Sequence, residues 1–189
     1  MRRDGRLAGV ASALFVITLA SRASALDIGA VAPDFHIRTL DGQEVWLAEA
    51  EKSHRAIVVL FLSTICPYSN YYNDLIRDMA VEFDKKGVLF IGINSGRIET
   101  AEEARTHALE HGHTFPIAKD PQNLVAERLG ARRTPEVFVL DASGRLVYHG
   151  RVASKISSPD LKNALDALLA GRPVKPAETK AFGCAIPRG

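Results

Sequence analysis

The sequence predicts an α/β protein with a mixed central β-sheet, helices on both faces and an N-terminal β-hairpin. Residues 56–62 form a near-continuous apolar run, which is typical of a strand buried on both faces. Strand-like runs then alternate with segments of helical periodicity, and such crossovers produce a right-handed parallel core. A later pair of strands joined by a short turn adds antiparallel strands, so the sheet is expected to be mixed.

Residues 1–25 predict a secretory signal peptide. Three arginines precede the apolar run of residues 7–20, and a small-x-small cleavage pattern, Ala-Ser-Ala, ends at Ala25. The apolar run is shorter than the roughly 20 residues that span a membrane, although an uncleaved anchor is the alternative. We therefore expect export, with a periplasmic location and no membrane contact after cleavage.

The rest of the chain divides into a domain, residues 26–171, and a tail, residues 172–189, which carries Cys184. The formal net charge of the whole chain is +2, and residues 1–25 hold four arginines and one aspartate, so the remainder has a net charge of −1. No basic patch remains that would indicate a nucleic-acid ligand. Export would place both cysteines where disulfides persist.

The elements of the domain can be predicted in order. Residues 35–40 and 44–47 flank Asp41-Gly42 as a β-hairpin, and residues 48–55 predict a loop with a helical turn. After the buried strand, apolar spacing predicts one helix of about 18 residues that ends before Gly87. The later predictions are strand 88–93, helix 100–111, strand 115–118, helix 121–129, strands 136–140 and 145–151, and helix 159–170.

Cys66 lies where the buried strand meets this helix, and Pro67 follows it. The free N–H groups and the positive dipole end of a helix N-terminus favour a thiolate, which lowers a cysteine pKa and allows attack on a disulfide sulfur. The alternative is a small buried apolar residue. Ser69, one turn further, predicts either a hydrogen-bond donor to the thiolate or a helix N-cap.

A polar segment, residues 94–97, follows the strand 88–93 and reaches the same end of the sheet as Cys66. Ligands often bind at the carboxyl ends of strands in open α/β sheets. We therefore expect this segment to lie beside the cysteine.

Three motifs together resemble the thioredoxin fold: Cys66-Pro67-Tyr68-Ser69, Thr134-Pro135, and the hairpin EVFVLDASGRLVYHGRV at residues 136–152. Residues 28–35 and the tail sequence TKAFGCAIPR resemble the redoxin and peroxiredoxin-like branch, including exported members with a single active-site cysteine. The resemblance implies a cis bond before Pro135 and a Thr134 backbone free to pair with an extended substrate beside Cys66. Pro67 and Tyr68 would belong to the same substrate groove, although packing of Tyr68 against the sheet is the alternative.

The sequence departs from the family pattern at several positions. Ser69 replaces the second cysteine of a thioredoxin, Leu60 replaces its buried acid, and Ile65 replaces the usual nearby tryptophan. The Pro-x-x-x-Thr-x-x-Cys frame of peroxiredoxins is absent around Cys66. We therefore expect weak peroxidase activity or none.

Cys184 leaves three alternatives open. Two cysteines in an exported protein suggest one disulfide, so Cys184 either resolves a mixed disulfide on Cys66 or forms a permanent Cys66–Cys184 staple. In a mobile tail it would instead serve a partner protein. A softer hypothesis uses both thiolates as Cu(I) ligands.

The leading prediction is an exported thiol–disulfide oxidoreductase with Cys66 as nucleophile and Cys184 or an external thiol as resolver. The expected partners are protein or low-molecular-weight thiols and disulfides, with no cofactor and no assigned metal ligands. The alternative is a non-catalytic binding module or a Cu(I)-handling protein with a structural disulfide. The sequence does not define the oligomeric state.

Overall fold

The computed structural model describes residues 26–188. The signal peptide predicted for residues 1–25 therefore lies outside the described residues. Within residues 26–188, no helix combines the length and the apolar character that a membrane span requires.

The helices and strands follow the predicted order, and two short strands, Arg133–Thr134 and Cys184–Ala185, were not predicted. They are β1 (His36–Arg38), β2 (Glu44–Trp46), α1 (Leu47–Ser53), β3 (Ala56–Leu62), α2 (Pro67–Tyr71), α3 (Asn73–Asp84), β4 (Val88–Asn94), α4 (Ala101–Glu110), β5 (Ile117–Lys119), α5 (Leu124–Leu129), β6 (Arg133–Thr134), β7 (Glu136–Asp141), β8 (Leu146–Gly150), α6 (Asp160–Leu169) and β9 (Cys184–Ala185).

The central sheet has five strands in the order β5-β4-β3-β7-β8. Strand β4 is parallel to both β3 and β5, whereas β7 is antiparallel to β3 and to β8. The predicted mixed sheet is confirmed. Strands β1 and β2 form a separate antiparallel hairpin, in agreement with the turn predicted at Asp41-Gly42.

The hydrophobic core occupies both faces of this sheet. All seven residues of β3 are buried, and alternate side chains of a strand point to opposite faces. Ile57, Val59 and Phe61 pack with residues of α1 and α5, whereas Val58 and Leu60 pack with residues of α3 and α6. Leu60, at the position of the thioredoxin acid, is fully buried in an apolar layer.

Two helix predictions were wrong in detail. Residues 48–55 were expected as a loop with a helical turn, but α1 is a helix because Leu47 and Ala50, three residues apart, are buried on one side of it. The helix predicted after Cys66 is not continuous. It breaks at Tyr72, whose backbone leaves helical geometry (φ −102°, ψ 3°) and whose hydroxyl donates to the Ala153 carbonyl at 2.9 Å.

The tail lies against the domain along much of its length. It first runs beside β8, where the His149 N–H donates to the Ala177 carbonyl and the Thr179 N–H donates to the His149 carbonyl, both at 2.9 Å. It then forms β9, which pairs antiparallel with β6 and sets Cys184 opposite Thr134. The second cysteine is thereby carried to the sheet end where Cys66 lies.

Candidate active site

Cys66 lies in the predicted junction between β3 and a helix. Strand β3 ends at Leu62, and Cys66 is the N-cap of α2 with an extended backbone (φ −84°, ψ 115°). Pro67 occupies the first turn of the helix, where its missing N–H costs no hydrogen bond. Only 1% of the Cys66 surface is exposed, so its thiol is reached through the surrounding cavity and not from open solvent.

The thiol of Cys66 is in direct contact with the thiol of Cys184. The two sulfur atoms lie 2.7 Å apart, both cysteines are free thiols, and the Cys66 thiol also donates to the Thr134 carbonyl at 3.0 Å. A disulfide between them therefore needs only a small movement of side chains.

The two thiols have different pKa values because their environments differ. Burial raises the pKa of Cys66, but hydrogen bonds from Cys184, from the Thr134 side chain and from the backbone of Ser69 and Cys184 outweigh it, so the net pKa is lowered. The hydrogen bond with Cys66, burial and the charge of a Cys66 thiolate raise the pKa of Cys184 to about 11. Cys66 is therefore the more acidic thiol of the pair, and Cys184 is the less acidic one.

The Thr134–Pro135 peptide bond is cis, and Thr134 is buried. The resemblance implied a Thr134 backbone open to an extended substrate, but here its partner is Cys184 in β9. A side chain at Gly183 would clash with the Thr134 carbonyl and approach Pro135 Cδ to 3.2 Å. The absence of a side chain at this position lets the tail lie close to the Thr-Pro loop.

The remaining predicted residues have different environments. Ser69 is 1% exposed, and within residues 26–188 its hydroxyl has no hydrogen-bond partner. Neither the predicted donation from this hydroxyl to Cys66 nor side-chain capping of α2 is present, whereas the Ser69 backbone contributes to the pKa of Cys66. Tyr68 is 45% exposed, and its ring meets the ring of Phe182 edge to face, with 5.2 Å between ring centroids.

Glu99 is a buried acid beside the site that the sequence did not reveal. Its carboxylate accepts from Ser63 Oγ at 2.8 Å, from the Thr64 N–H at 2.5 Å, from Thr64 Oγ1 at 2.7 Å and from Asn94 Nδ2 at 2.8 Å. Burial raises the pKa of Glu99, but these hydrogen bonds outweigh it and hold the pKa below its ordinary value. The carboxylate fastens the loop that leads to Cys66.

Lys119 binds the loop that follows β4. Its ammonium donates to Asn94 Oδ1 and to the carbonyls of Gly96 and Glu99, each at 2.6 Å. Burial lowers the pKa of Lys119 despite the opposing charge of Glu99. The polar segment 94–97 thus lies beside Cys66, as expected, and is fixed by a lysine that spacing alone did not single out.

Glu136 and His149 support the Thr-Pro loop from beneath. The Glu136 carboxylate accepts the N–H groups of Arg132 and Arg133 at 2.6 and 2.7 Å and lies 2.7 Å from His149 Nε2. The His149 ring stacks on Phe138. The sequence carried one signal of this support: Glu136 is a charged residue at the start of β7, whose next four residues are apolar.

These elements enclose a cavity of about 490 Å³ that opens next to both cysteines. It is bounded by the loops after β3 and β4, by the Thr-Pro loop and by the tail. Its lining residues are Ser63, Ile65, Cys66, Gly96, Arg97, Ile98, Glu99, Thr134, Cys184, Ala185, Ile186 and Pro187.

Metal ligation has little support in the described part of the chain. Among residues 26–188, no group of three or more His, Cys, Asp or Glu side chains is arranged to hold a metal ion. The Cu(I) alternative would therefore depend on the two sulfur atoms alone.

The sheet order, the cysteine at a strand–helix junction and the adjacent Thr-Pro loop define a thioredoxin-like redoxin. The family model described as AhpC/TSA family matches residues 28–149 of this chain. The chain belongs to the AhpC/TSA family.

Relatives extend the comparison. The thiol-disulfide oxidoreductase ResA of Geobacillus thermodenitrificans is 25% identical over 145 residues, which cover 77% of this chain and 80% of the relative. A hypothetical protein of Sinorhizobium meliloti 1021 superposes with a TM-score of 0.80 at 30% identity, covering 88% of this chain and 97% of that structure. The fold is shared with the thioredoxin domain of a Bacteroides vulgatus thiol-disulfide oxidoreductase. That structure superposes with a TM-score of 0.58 at 21% identity, covering 66% of this chain and 89% of that structure.

Proposed function

We propose that this protein is a thiol–disulfide oxidoreductase in which Cys66 is the nucleophile and Cys184 is the resolving thiol. The observation that carries the proposal is the 2.7 Å contact between the two sulfur atoms. The lowered pKa of Cys66 and the raised pKa of Cys184 give each thiol a distinct role. Relatives that bear the name thiol-disulfide oxidoreductase support the same reaction class.

The reaction then proceeds in two exchanges. The Cys66 thiolate attacks one sulfur of a substrate disulfide, forms a mixed disulfide and releases the first substrate thiolate. Cys184 gives its proton to that thiolate and attacks the Cys66 sulfur, which releases the second thiolate and closes the Cys66–Cys184 disulfide. Two external thiols, or one dithiol, then reduce the Cys66–Cys184 disulfide and are themselves oxidised to a disulfide.

We also propose export to the periplasm with cleavage after Ala25. The support is the basic, apolar and small-residue pattern of residues 1–25. Expression of the full chain in a Gram-negative host, followed by N-terminal mass determination of the periplasmic fraction, tests this. A protein in that fraction that begins at Leu26 is the expected result, and retention of residues 1–25 in the cytoplasm contradicts it.

Variants of the two cysteines separate the roles of the thiols. Reduced protein is mixed with oxidised glutathione and the products are identified by mass spectrometry. We expect Cys184→Ser to accumulate a glutathione adduct on Cys66 and the unaltered protein to form the internal disulfide. Cys66→Ser should react at Cys184 more slowly, because Cys184 lacks the hydrogen bonds from Thr134 and from the Ser69 backbone that lower the pKa of Cys66. Equal rates in the two variants would refute the assignment.

A structural disulfide in a binding module is the second candidate. The burial of Cys66 beneath the tail favours it. A permanent staple has a reduction potential below about −300 mV, whereas a cycling pair has a potential in the range of catalytic dithiols. Equilibration with glutathione redox buffers distinguishes them.

A further inference from the structure

We propose that the site takes low-molecular-weight disulfides with an apolar body and a carboxylate, and not extended polypeptides. This inference rests on the proposed function and adds the class of substrate. Two independent features carry it: the tail fills the edge where a peptide would pair, and the cavity beside Cys66 has the size and lining of a small-molecule site.

The edge at Thr134 is already occupied. An extended peptide binds a sheet edge by pairing with its backbone, but the backbone of β6 pairs with β9. The Ile186 N–H donates to the Arg132 carbonyl at 2.9 Å, and the Arg133 guanidinium donates to the Gly183 carbonyl at 2.9 Å. A peptide substrate would have to displace all of these contacts.

The tail is also fastened beyond the cysteine. Asn123 Nδ2 donates to the Pro187 carbonyl at 2.6 Å, and the Arg188 guanidinium lies 2.8 Å from Glu127 and donates to the Ala131 carbonyl. Ile186 is buried in the core cluster on the α5 side of the sheet. Release of the tail would break these contacts and expose an apolar side chain, so the docked tail forms one wall of the working site.

What remains open beside Cys66 is the cavity of about 490 Å³. Small-molecule sites occupy roughly 300–1,000 Å³ and are mostly apolar. Ile65, Ile98, Ile186 and Pro187 supply apolar walls, and the thiols lie among them. Because Lys119 fixes the loop that carries Arg97 and Ile98, this wall is formed before a ligand arrives.

One cation, Arg97, lines the cavity. Its side chain is exposed, and within residues 26–188 it forms no ion pair with an acidic residue. It donates a hydrogen bond of 3.5 Å to the Arg188 carbonyl. Glu99 also lines the cavity. Its carboxylate is negatively charged, but the residue is buried and the carboxylate oxygens accept hydrogen bonds from Ser63, Thr64 and Asn94. A carboxylate on the ligand would therefore meet a guanidinium that is available to bind it.

The chemistry balances without a further reactant. The disulfide R–S–S–R takes two electrons from the reduced cysteine pair and becomes two molecules of R–SH. The S–S bond of the ligand breaks and the Cys66–Cys184 bond forms. The Cys184 proton leaves with one product thiol, and the other product takes from water the proton that Cys66 lost when its thiolate formed.

The test compares three probes on the reduced full chain, and each rate is divided by the rate of the same probe with free cysteine. The probes are dithiobis(nitrobenzoate), which is aromatic and carries carboxylates; dithiodipyridine, which is aromatic and neutral; and a short extended peptide, blocked at both ends, whose cysteine forms a disulfide with methanethiol. We expect the protein to react with dithiobis(nitrobenzoate) at least about tenfold faster than with the peptide probe. Arg97→Gln should lower the rate with the carboxylated aromatic disulfide about fivefold and leave the neutral one unchanged. Arg172→Gln is the matched control, since Arg172 is exposed and away from the cavity, and should change neither rate.

Gly183→Val provides a second arm. Its side chain would collide with the Thr134 carbonyl and displace the tail, so the rate with the peptide probe should rise about tenfold relative to dithiobis(nitrobenzoate). Faster reaction of the unaltered protein with the peptide probe, or an equal loss for all probes in Arg97→Gln, would overturn the inference. Failure of every probe to oxidise the cysteine pair would overturn the proposed function, and this inference with it.

Discussion

The carboxylate of Glu99 accepts a hydrogen bond from the backbone N–H of Thr64 at 2.5 Å, two residues before Cys66. Glu99 follows β4, whereas Thr64 follows β3, so this bond joins the loops at the ends of two neighbouring parallel strands. One buried acid therefore links the segment that presents the nucleophile to the loop that forms a cavity wall.

Replacement of this acid should cost stability. Glu99→Gln keeps the size of the side chain but places an amide NH₂ among donors from Ser63, Thr64 and Asn94. We expect a loss of about 2–3 kcal/mol in the free energy of unfolding, because hydrogen bonds to a buried charged group are lost. Urea denaturation at neutral pH measures it, with Glu110→Gln, at an exposed position, as the control. A loss no larger than that of the control would contradict the prediction.

The same acid should make stability depend on pH. The pKa of Glu99 lies below its ordinary value of 4.5 in the folded protein. Its stabilisation is therefore complete above the ordinary pKa and is lost as the pH falls through the lowered one. The difference in unfolding free energy between the unaltered protein and Glu99→Gln should narrow in acid. A difference that stays constant across this window would show that the carboxylate is not the group responsible.

The acidity of Cys66 should depend on its neighbour. Cys184→Ala removes a hydrogen bond that lowers the pKa of Cys66, so the pKa should rise. Cys184→Ser retains a hydroxyl donor and should raise it less. The pH dependence of Cys66 alkylation by iodoacetamide, followed by mass spectrometry, gives both values. An unchanged Cys66 pKa in Cys184→Ala would exclude Cys184 as a cause of the shift.

The hydroxyl of Ser69 should prove dispensable for that acidity. In the described part of the chain this hydroxyl has no hydrogen-bond partner, and the contribution of Ser69 to the Cys66 pKa comes from the backbone. Ser69→Ala should leave the pKa of Cys66 without a resolvable change and alter the free energy of unfolding by less than about 1 kcal/mol. A raised pKa in the same alkylation assay would restore the hydroxyl as a donor to the thiolate.

Asn123 should anchor the tail in two separable ways. It has a left-handed backbone (φ 56°, ψ 27°), and its amide donates to the Pro187 carbonyl at 2.6 Å. Asn123→Gly removes the amide but tolerates this backbone, whereas Asn123→Ala adds about 1–2 kcal/mol of strain. Both variants should speed proteolysis within the tail, and Ala should lower the free energy of unfolding further than Gly. Unchanged cleavage in both would show that the amide does not hold the tail.

Hydrophobic pattern was sufficient to predict most of the fold. The uninterrupted apolar run of β3 indicated a strand covered on both faces, and all seven of its residues are buried. The break at Tyr72 was not predictable. The apolar spacing of residues 72–83 begins at this residue and gives no sign that its backbone leaves helical geometry. The helix α1 was missed for a similar reason: its buried stripe comprises only Leu47 and Ala50, too few to establish a period.

The site was predicted less completely. The position of Cys66 followed from local sequence, since strand, cysteine and proline are contiguous. Glu99 left no comparable signal, because the donors it binds come from two other places in the chain, residues 63–64 and Asn94, and its burial depends on tertiary packing. The place of Cys184 was equally beyond local pattern: its pairing with β6 depends on a close approach at Gly183 that only the folded loop defines.

The partner of Cys66 lies 118 positions later in the chain. A ribosome therefore completes every strand of the central sheet and all six helices of the described region before it adds Cys184. During that interval the growing chain contains Cys66 but neither the partner thiol nor the strand that pairs beside it. The order of synthesis thus makes the nucleophile available to other thiols before its own partner exists in the chain.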